Sequence, residues 1–158
     1  MSAVIEDLPE TLEGEEEYGK AMPSRNHAIA QFRLGTQFLR HPEFEIASEM
    51  TLELNGRRFT PDLVVFPKRP IDWIHDVVRE TEAPLSCVEI FSPQQGYLEV
   101  MEKVTAYLEA GVKSCWVLVP PLQTVTIYLP GEPPQTTSLG IARDPATGLE
   151  ADVSEVFA

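Results

Sequence analysis

The chain has 158 residues, of which 43% are hydrophobic and 23% charged, so it suits one globular domain and wholesale disorder is excluded. No apolar stretch approaches the roughly 20 residues of a membrane helix, and the acidic start lacks the features of a signal peptide, so we expect a cytoplasmic protein without membrane contact. The net charge of −13 counts against strong non-specific binding to nucleic acid, which draws on basic patches.

An acidic leader precedes the predicted domain. Seven of the 25 acidic residues lie between Glu6 and Glu17, and such a run is typical of a solvated tail. We therefore divide the chain into an acidic N-terminal leader over residues 1–21 and a single domain over residues 22–158. The domain is less acidic than the total charge suggests.

The first predicted element is a helix. Ser24 can cap its start, and it is expected to end before His41-Pro42. Its apolar residues recur at roughly helical spacing and predict one buried face. The residues of that face are Ile29, Phe32, Leu34 and Phe38.

Two strands and a hairpin turn are predicted next. Residues 44–54 alternate in hydropathy and predict a half-buried strand. Asn55-Gly56 is a strong two-residue hairpin signal, so Phe59 to Phe66 is expected to return as the following strand. Residues 71–84 then predict a polar connection with room for a short helix.

The second half of the chain predicts a strand, a helix and a further hairpin. Residues 85–91 form an apolar run of strand length. Tyr97 to Ala110 has helical spacing and is closed by Gly111. Ser114–Val119 and Thr124–Leu129 predict a hairpin, and we assign no element to the Pro, Gly and Thr-rich stretch after it. The sum is an α/β fold in which a mixed β-sheet is flanked by helices.

The chain has two cysteines, Cys87 and Cys115, and each lies in an apolar run. Two isolated cysteines without a secretory signal argue against a disulfide framework. We expect both to be buried free thiols.

Two carboxylates occupy unusual positions. Glu89 lies within the apolar strand over residues 85–91, where an ionised carboxylate costs several kcal/mol unless a cation or a protein charge meets it. Asp62 opens an apolar strand directly after Pro61. A structural role for Asp62, accepting hydrogen bonds from free backbone N–H groups at the strand entry, stays open beside a functional one.

A lysine completes the candidate set. Lys103 lies three residues after Val100 and four before Tyr107, so its ammonium can turn toward the sheet. An exposed helix lysine paired with Glu99 is the equally supported alternative.

Together, Asp62, Glu89 and Lys103 predict hydrolysis of a phosphodiester. Two carboxylates at the ends of neighbouring strands can hold a hard divalent cation such as Mg²⁺, or Mn²⁺ in its place. Such an ion activates water and stabilises developing charge, while a nearby lysine neutralises the phosphate or orients the water. The sequence contains no Ser/His/Asp order, P-loop, CxxC pair or HExxH helix that would propose a different reaction.

Several motifs, taken in order and spacing, resemble those of the Uma2-like restriction endonuclease family, within the PD-(D/E)XK nuclease superfamily. The resemblance covers roughly residues 22–130. The motifs are Pro61-Asp62-Leu63, Val88-Glu89-Ile90-Phe91-Ser92-Pro93, Lys103 with Tyr107 and Ala110-Gly111-Val112, and Trp116 in the next strand.

The resemblance implies a restriction-endonuclease-like core with Asp62 and Glu89 as metal ligands and Mg²⁺ or Mn²⁺ as cofactor. Phe91 occupies the position where the superfamily often has its third residue, and in this family the lysine comes from the following helix, which carries the role onto Lys103. His27, at the start of the first helix, is a candidate accessory residue, with a surface or capping role as the alternative. By analogy the partner is nucleic acid, DNA in particular, and the working form a homodimer.

Two departures from the family pattern leave room for an alternative function, although neither touches Asp62, Glu89 or Lys103. Residues 94–99 contain no basic residue, although this segment is often rich in arginine in the family. Val119-Pro120 stands where the family commonly has Asp-Pro. With the acidic charge, these differences leave open a catalytically weak or inactive nuclease-fold module with a binding or regulatory role.

Overall fold

A computed structural model describes residues 23–158, and the acidic leader predicted over residues 1–21 lies outside them. Within that range the chain forms three α-helices, ten strands and one 3₁₀ turn. In chain order these are α1 (Arg25–Phe38), β1 (Phe44–Ser48), β2 (Leu52–Leu54), β3 (Arg57–Phe59), β4 (Leu63–Pro67), β5 (Ser86–Ile90), α2 (Tyr97–Glu109), β6 (Ser114–Val119), the 3₁₀ turn (Pro120–Leu122), β7 (Thr124–Tyr128), β8 (Gln135–Thr137), β9 (Ile141–Arg143), β10 (Glu150–Asp152) and α3 (Val153–Val156).

A six-stranded mixed sheet organises the molecule, in the order β1-β4-β5-β6-β7-β8. Only β5 and β6 are parallel within it, and α2 is the crossover between them. The other neighbours pair antiparallel. The predicted fold class, a mixed sheet flanked by helices, is therefore confirmed.

Each face of the sheet carries its own apolar core. On one face α1, α3 and the β9–β10 hairpin cover a cluster in which Phe38 and Trp116 meet edge to face at 4.9 Å. On the other face α2 and the β2–β3 hairpin cover a cluster in which Phe59 meets Tyr107 at 5.1 Å. Because β5 lies in the middle of the sheet, alternate residues of β5 enter the two cores.

Helix α1 has the predicted bounds but a different buried face. Ser24 caps it by accepting the N–H of His27. Ala30, Leu34 and Phe38 are buried, at the spacing that one helix face requires. Two assignments to that face were wrong, because Ile29 is 40% and Phe32 is 75% exposed.

The strand predicted over residues 44–54 is two strands. Glu49 has a φ of 54°, and this left-handed residue separates β1, in the large sheet, from β2. The Asn55-Gly56 turn is confirmed, with φ values of 51° and 73° as a two-residue hairpin turn requires. The strand returning from it ends at Phe59, so the predicted strand over residues 59–66 is also divided.

The remaining predicted elements form as expected, with two exceptions. The strand over residues 85–91, the helix closed by Gly111 (φ 100°) and the hairpin after it are confirmed. Residues 71–84 contain no helix. Three strands and a short helix occupy the part of the chain after Tyr128, where no element was expected.

Asp144 joins this last part of the chain to the sheet. Its carboxylate is 2% exposed and accepts the hydroxyl of Ser114 and, at 3.0 Å, the indole N–H of Trp116. Its second oxygen accepts the backbone N–H of Ala146 at 2.9 Å. All these donors are neutral, so the carboxylate is held by hydrogen bonds rather than by an ion pair.

The connection between β4 and β5 exposes large apolar side chains. Trp73, Ile74 and Val78 are each more than four-fifths exposed.

The sequence prediction for the cysteines is confirmed, because Cys87 and Cys115 are buried and unbridged. No helix between residues 23 and 158 is both long and apolar enough to cross a membrane.

Candidate active site

The pairing of β4 with β5 determines how the two candidate residues are placed along the sheet. Leu63 pairs with Val88, and the N–H of Asp62 donates to the Val88 carbonyl at 3.0 Å. The same antiparallel register, continued by one residue, sets Asp62 opposite Glu89. Asp62, at the start of β4, and Glu89, within β5, therefore belong to neighbouring strands of the sheet, as the sequence predicted.

Asp62 is buried and held from two sides. One oxygen, Oδ2, accepts the backbone N–H of Ile90 at 2.7 Å and lies 3.1 Å from Nε2 of His27. Gln31 fixes the backbone by donating to the Asp62 carbonyl at 3.0 Å. The structural interpretation, a carboxylate answering a backbone N–H, is thus realised together with a side-chain contact to His27.

His27 is a buried side chain on the first turn of α1. It is 4% exposed, so the surface alternative is wrong. Its Nδ1 atom has no hydrogen-bond partner within the described part of the chain. With Nε2 directed at Asp62, His27 can orient that carboxylate.

Glu89 is 4% exposed and meets two residues of α2. Its Oε1 accepts the hydroxyl of Tyr107 at 2.5 Å, and its Oε2 lies 4.0 Å from Nζ of Lys103. The cost of burying this carboxylate is therefore offset by one short hydrogen bond and one positive charge.

Lys103 lies between two carboxylates. Its Nζ is 4.0 Å from Glu89 and 3.7 Å from Glu99. The alternative prediction was an exposed lysine paired with Glu99. The pair is present, but Lys103 is only 5% exposed. The side chain follows the same face of α2 as Val100 and Tyr107 and brings its ammonium to the sheet.

Tyr107 is the member of this site whose contact the sequence did not predict. It follows Lys103 by four residues on α2, so the two side chains share a helix face. This spacing was the sequence feature that could have placed Tyr107 near Lys103. Burial, and then the nearby Glu89 carboxylate, raise the pKa of Tyr107 well above its ordinary value. The phenol therefore stays protonated and donates to Glu89 throughout the neutral range.

The donor set suits a hard divalent cation. Asp62 and Glu89 offer carboxylate oxygens, which are the ligands that Mg²⁺ prefers. Among residues 23–158, no group of three or more His, Cys, Asp or Glu side chains is arranged to hold a metal ion. Two protein carboxylates match an ion that keeps several of its waters, so the residues present fit Mg²⁺ or Mn²⁺.

Two comparisons with known proteins agree with this architecture. The model of the Uma2 family, described as "Putative restriction endonuclease", matches residues 9–154. A crystal structure from Anabaena variabilis, of a "putative nuclease belonging to DUF820", superposes with a TM-score of 0.74 at 22% identity, covering 87% of this chain and 83% of that one. A search among curated proteins gives no match. The structural likeness shows the fold, and the family model spans most of the sequence.

Proposed function

The chain belongs to the Uma2 family, and from that premise we propose that it is a metal-dependent endonuclease hydrolysing phosphodiester bonds in nucleic acid. One observation carries the proposal. Asp62, directly before β4, and Glu89, in the adjacent strand β5, are both buried carboxylates, and the ammonium of Lys103 is 4.0 Å from that of Glu89. Two carboxylates and a lysine are residue types that can support metal-assisted phosphodiester hydrolysis.

Asp62 and Glu89 are the residues that would hold the metal. Their orientation comes from the protein, because Ile90 and His27 fix Asp62 while Tyr107 fixes Glu89. Partners of this kind are as important to a metal site as the ligands themselves. When bound, the ion supplies an activated water and positive charge for the hydrolysis.

Lys103 contributes a positive charge that belongs to the protein rather than to the metal ion. Its ammonium sits at Glu89 in a nearly closed environment, where its field is screened less than at the surface. In the proposed reaction it neutralises the phosphate or orients the attacking water. DNA is the proposed substrate, and a homodimer is the proposed working form by analogy with other nucleases of this fold.

The proposal is tested by cleavage of plasmid and single-stranded DNA with Mg²⁺ or Mn²⁺. We expect metal-dependent cutting by the intact chain. Asp62→Asn, Glu89→Gln and Lys103→Met should each lower the rate by about 100-fold or more, equivalent to ~2.7 kcal/mol of transition-state stabilisation. Glu102→Gln is the matched control, because Glu102 is an exposed carboxylate on the same helix.

Mn²⁺ binding and thermal unfolding of the same variants separate function from stability. A variant that has lost cutting but keeps its unfolding temperature has lost chemistry rather than structure. Metal-dependent cutting that survives in both Asp62→Asn and Glu89→Gln would overturn the assignment of the site.

The acidic charge favours a second candidate function, a nuclease-fold module that binds or regulates a partner with little catalysis of its own. The net charge is −13, and residues 94–99 carry no basic side chain. A salt series discriminates the two, because affinity that rests on phosphate contacts falls steeply with salt. Absence of DNA affinity at low salt, with no cutting, would favour this second candidate.

A further inference from the structure

Glu99 is a fourth ionisable residue at the candidate active site, and the proposed reaction gives it no role. It lies in the first turn of α2. Its Oε1 is 3.7 Å from Nζ of Lys103, closer than Oε2 of Glu89 at 4.0 Å. The lysine that the proposed reaction uses is therefore held by two carboxylates, and only Glu89 has been given a function.

The two carboxylates differ in what else they bind. Oε1 of Glu89 accepts the Tyr107 hydroxyl, and its other oxygen is the one near Lys103. Within residues 23–158, Lys103 is the only cation within 4.0 Å of Glu99. When Glu89 serves as a metal ligand, Glu99 is therefore the carboxylate that stays available to the lysine.

The position of Glu99 on α2 suits an ion pair with Lys103. The glutamate precedes the lysine by four residues, which is the favourable orientation on a helix. A carboxylate in the first helical turn is also stabilised by the helix dipole. Because the Lys103 side chain is 6% exposed, packing already orders its stem, and the pair costs less side-chain entropy than one between two surface residues.

An acidic side chain at this place needs a reason. The Glu99 side chain is 37% exposed, against 5% for Glu89, so it lies nearer the solvent from which the substrate arrives. The proposed substrate is a polyanion, which a carboxylate beside its binding site repels. Residues 94–98 supply no basic side chain to offset that charge. A role toward Lys103 accounts for a negative charge that substrate binding alone would disfavour.

We propose that Glu99 is the positioning residue for Lys103, holding the ammonium between the two carboxylates and keeping it from closing onto Glu89. The inference rests on the proposed nuclease function. Without Glu99, the ammonium keeps Glu89 as its one carboxylate partner within the described chain, and it then competes for an oxygen that the proposed metal site needs. Glu99 acts through Lys103 and contacts neither substrate nor metal.

Mn²⁺ binding, measured by electron paramagnetic resonance, tests the proposal without requiring cleavage. We expect Glu99→Gln to weaken Mn²⁺ binding about tenfold, because the ammonium then competes for Glu89. Lys103→Met removes the competitor, so this variant should bind Mn²⁺ at least as tightly as the intact chain. Glu102→Gln, which removes an exposed carboxylate from the same helix, should change the affinity much less than Glu99→Gln.

The double variant Glu99→Gln/Lys103→Met identifies the route of the effect. If Glu99 acts through Lys103, its substitution has no further effect once the lysine is gone. The double variant should then bind Mn²⁺ as tightly as Lys103→Met alone. A loss of affinity that persists in the Lys103→Met background would overturn the proposal, because Glu99 would then act on the metal or on the fold directly.

Cleavage kinetics give a second measurement. Glu99→Gln should lower kcat for DNA about tenfold with little change in KM, because Lys103 remains present but is no longer held in place. Glu99→Asp keeps the charge and should recover part of the loss. A Glu99→Gln protein that binds Mn²⁺ and cuts DNA as well as Glu102→Gln would overturn the proposal.

The outcomes for Glu99 and for the nuclease are distinguishable. DNA cleavage by the intact chain, with equal rates and equal Mn²⁺ affinities in Glu99→Gln and Glu102→Gln, would leave the nuclease standing and remove the role of Glu99. The expected pattern of Mn²⁺ affinities without any cleavage would remove the nuclease and leave Glu99 as the positioning residue of a metal-binding site. No Mn²⁺ binding by the intact chain would overturn both.

Discussion

The chemistry of the candidate site depends on how individual carboxylates are held. Glu89 takes a phenol on one oxygen and an ammonium near the other, while Asp62 takes a backbone N–H and an imidazole. Each carboxylate thus receives a different pair of partners. The geometry is fixed by packed side chains on α1 and α2 rather than by surface loops, which is the condition for a preorganised site.

Tyr107 provides a test of how the protein positions the Glu89 carboxylate. We expect Tyr107→Phe to lower the cleavage rate and the Mn²⁺ affinity by between about tenfold and 100-fold, because the variant keeps the ring and loses only the donor to Glu89. The KM for DNA should change little. Tyr128→Phe, made at a half-buried tyrosine of β7, is the control. Full cleavage and metal affinity in Tyr107→Phe would show that the hydroxyl does not position Glu89.

The sequence predicted some of these residues and not others, for physical reasons. Glu89 was identifiable because a carboxylate within an apolar strand needs a compensating charge. Tyr107 is one of the family motif residues, but its contact with Glu89 was not predictable, because a tyrosine on the apolar face of a helix is ordinary core and the direction of its hydroxyl depends on how α2 packs on β5. His27 stayed ambiguous because its partner is 35 residues away in the chain.

At the scale of elements, local signals worked where backbone geometry demands particular residues. Ser24, Asn55-Gly56 and Gly111 marked a helix start, a turn and a helix end that the structure confirms. Glu49 gave no such signal, because glutamate is not a residue type that favours a left-handed backbone conformation. The strands after Tyr128 are three residues long, too short for alternation to be recognised.

Asp144 is the buried carboxylate that bonds that last segment to the central strand β6. Asp144→Ala leaves the Trp116 indole and the Ala146 N–H without their acceptor, and the Ser114 hydroxyl with only the Ser86 hydroxyl as partner. We expect the free energy of unfolding to fall by about 3 kcal/mol or more, measured by urea denaturation.

Two further variants give this measurement its reference points. Asp144→Asn should also be destabilising, since its amide presents donors to donors. Asp76→Ala, at an exposed loop carboxylate, should stay within about 0.5 kcal/mol of the intact chain. An Asp144→Ala protein as stable as Asp76→Ala would show that the buried carboxylate does not hold the segment.

The whole molecule places two thiols and one phenol in the same core. Burial raises the pKa of Cys87 and of Cys115 above their ordinary values, with Cys115 and then Glu89 adding to the shift at Cys87. Tyr107 is shifted in the same direction. The folded chain therefore keeps these protons to higher pH than the unfolded chain does.

This shift predicts an alkaline limit to stability. The raised pKa values contribute to the free energy of unfolding. This contribution is fully present below the unfolded-state pKa of the thiols, about 8.5, and is lost as pH rises, at up to ~1.4 kcal/mol per pH unit for each group. Urea midpoints at pH 7.5, 9 and 10.5, in reducing buffer, should fall progressively. The double variant Cys87→Ala/Cys115→Ala should show a flatter decline, and a midpoint that rises with pH in the intact chain would contradict the expectation.

The two tryptophans give the protein a pair of separable optical reporters. Trp116 is fully buried with its indole N–H bonded to Asp144, whereas Trp73 is 86% exposed between β4 and β5. Acrylamide should therefore quench the emission of one and spare the other, and the protected indole should emit at shorter wavelength. In a Trp73→Phe background the remaining tryptophan fluorescence comes from the centre of the sheet alone, so unfolding and ligand binding can be followed there without an added label.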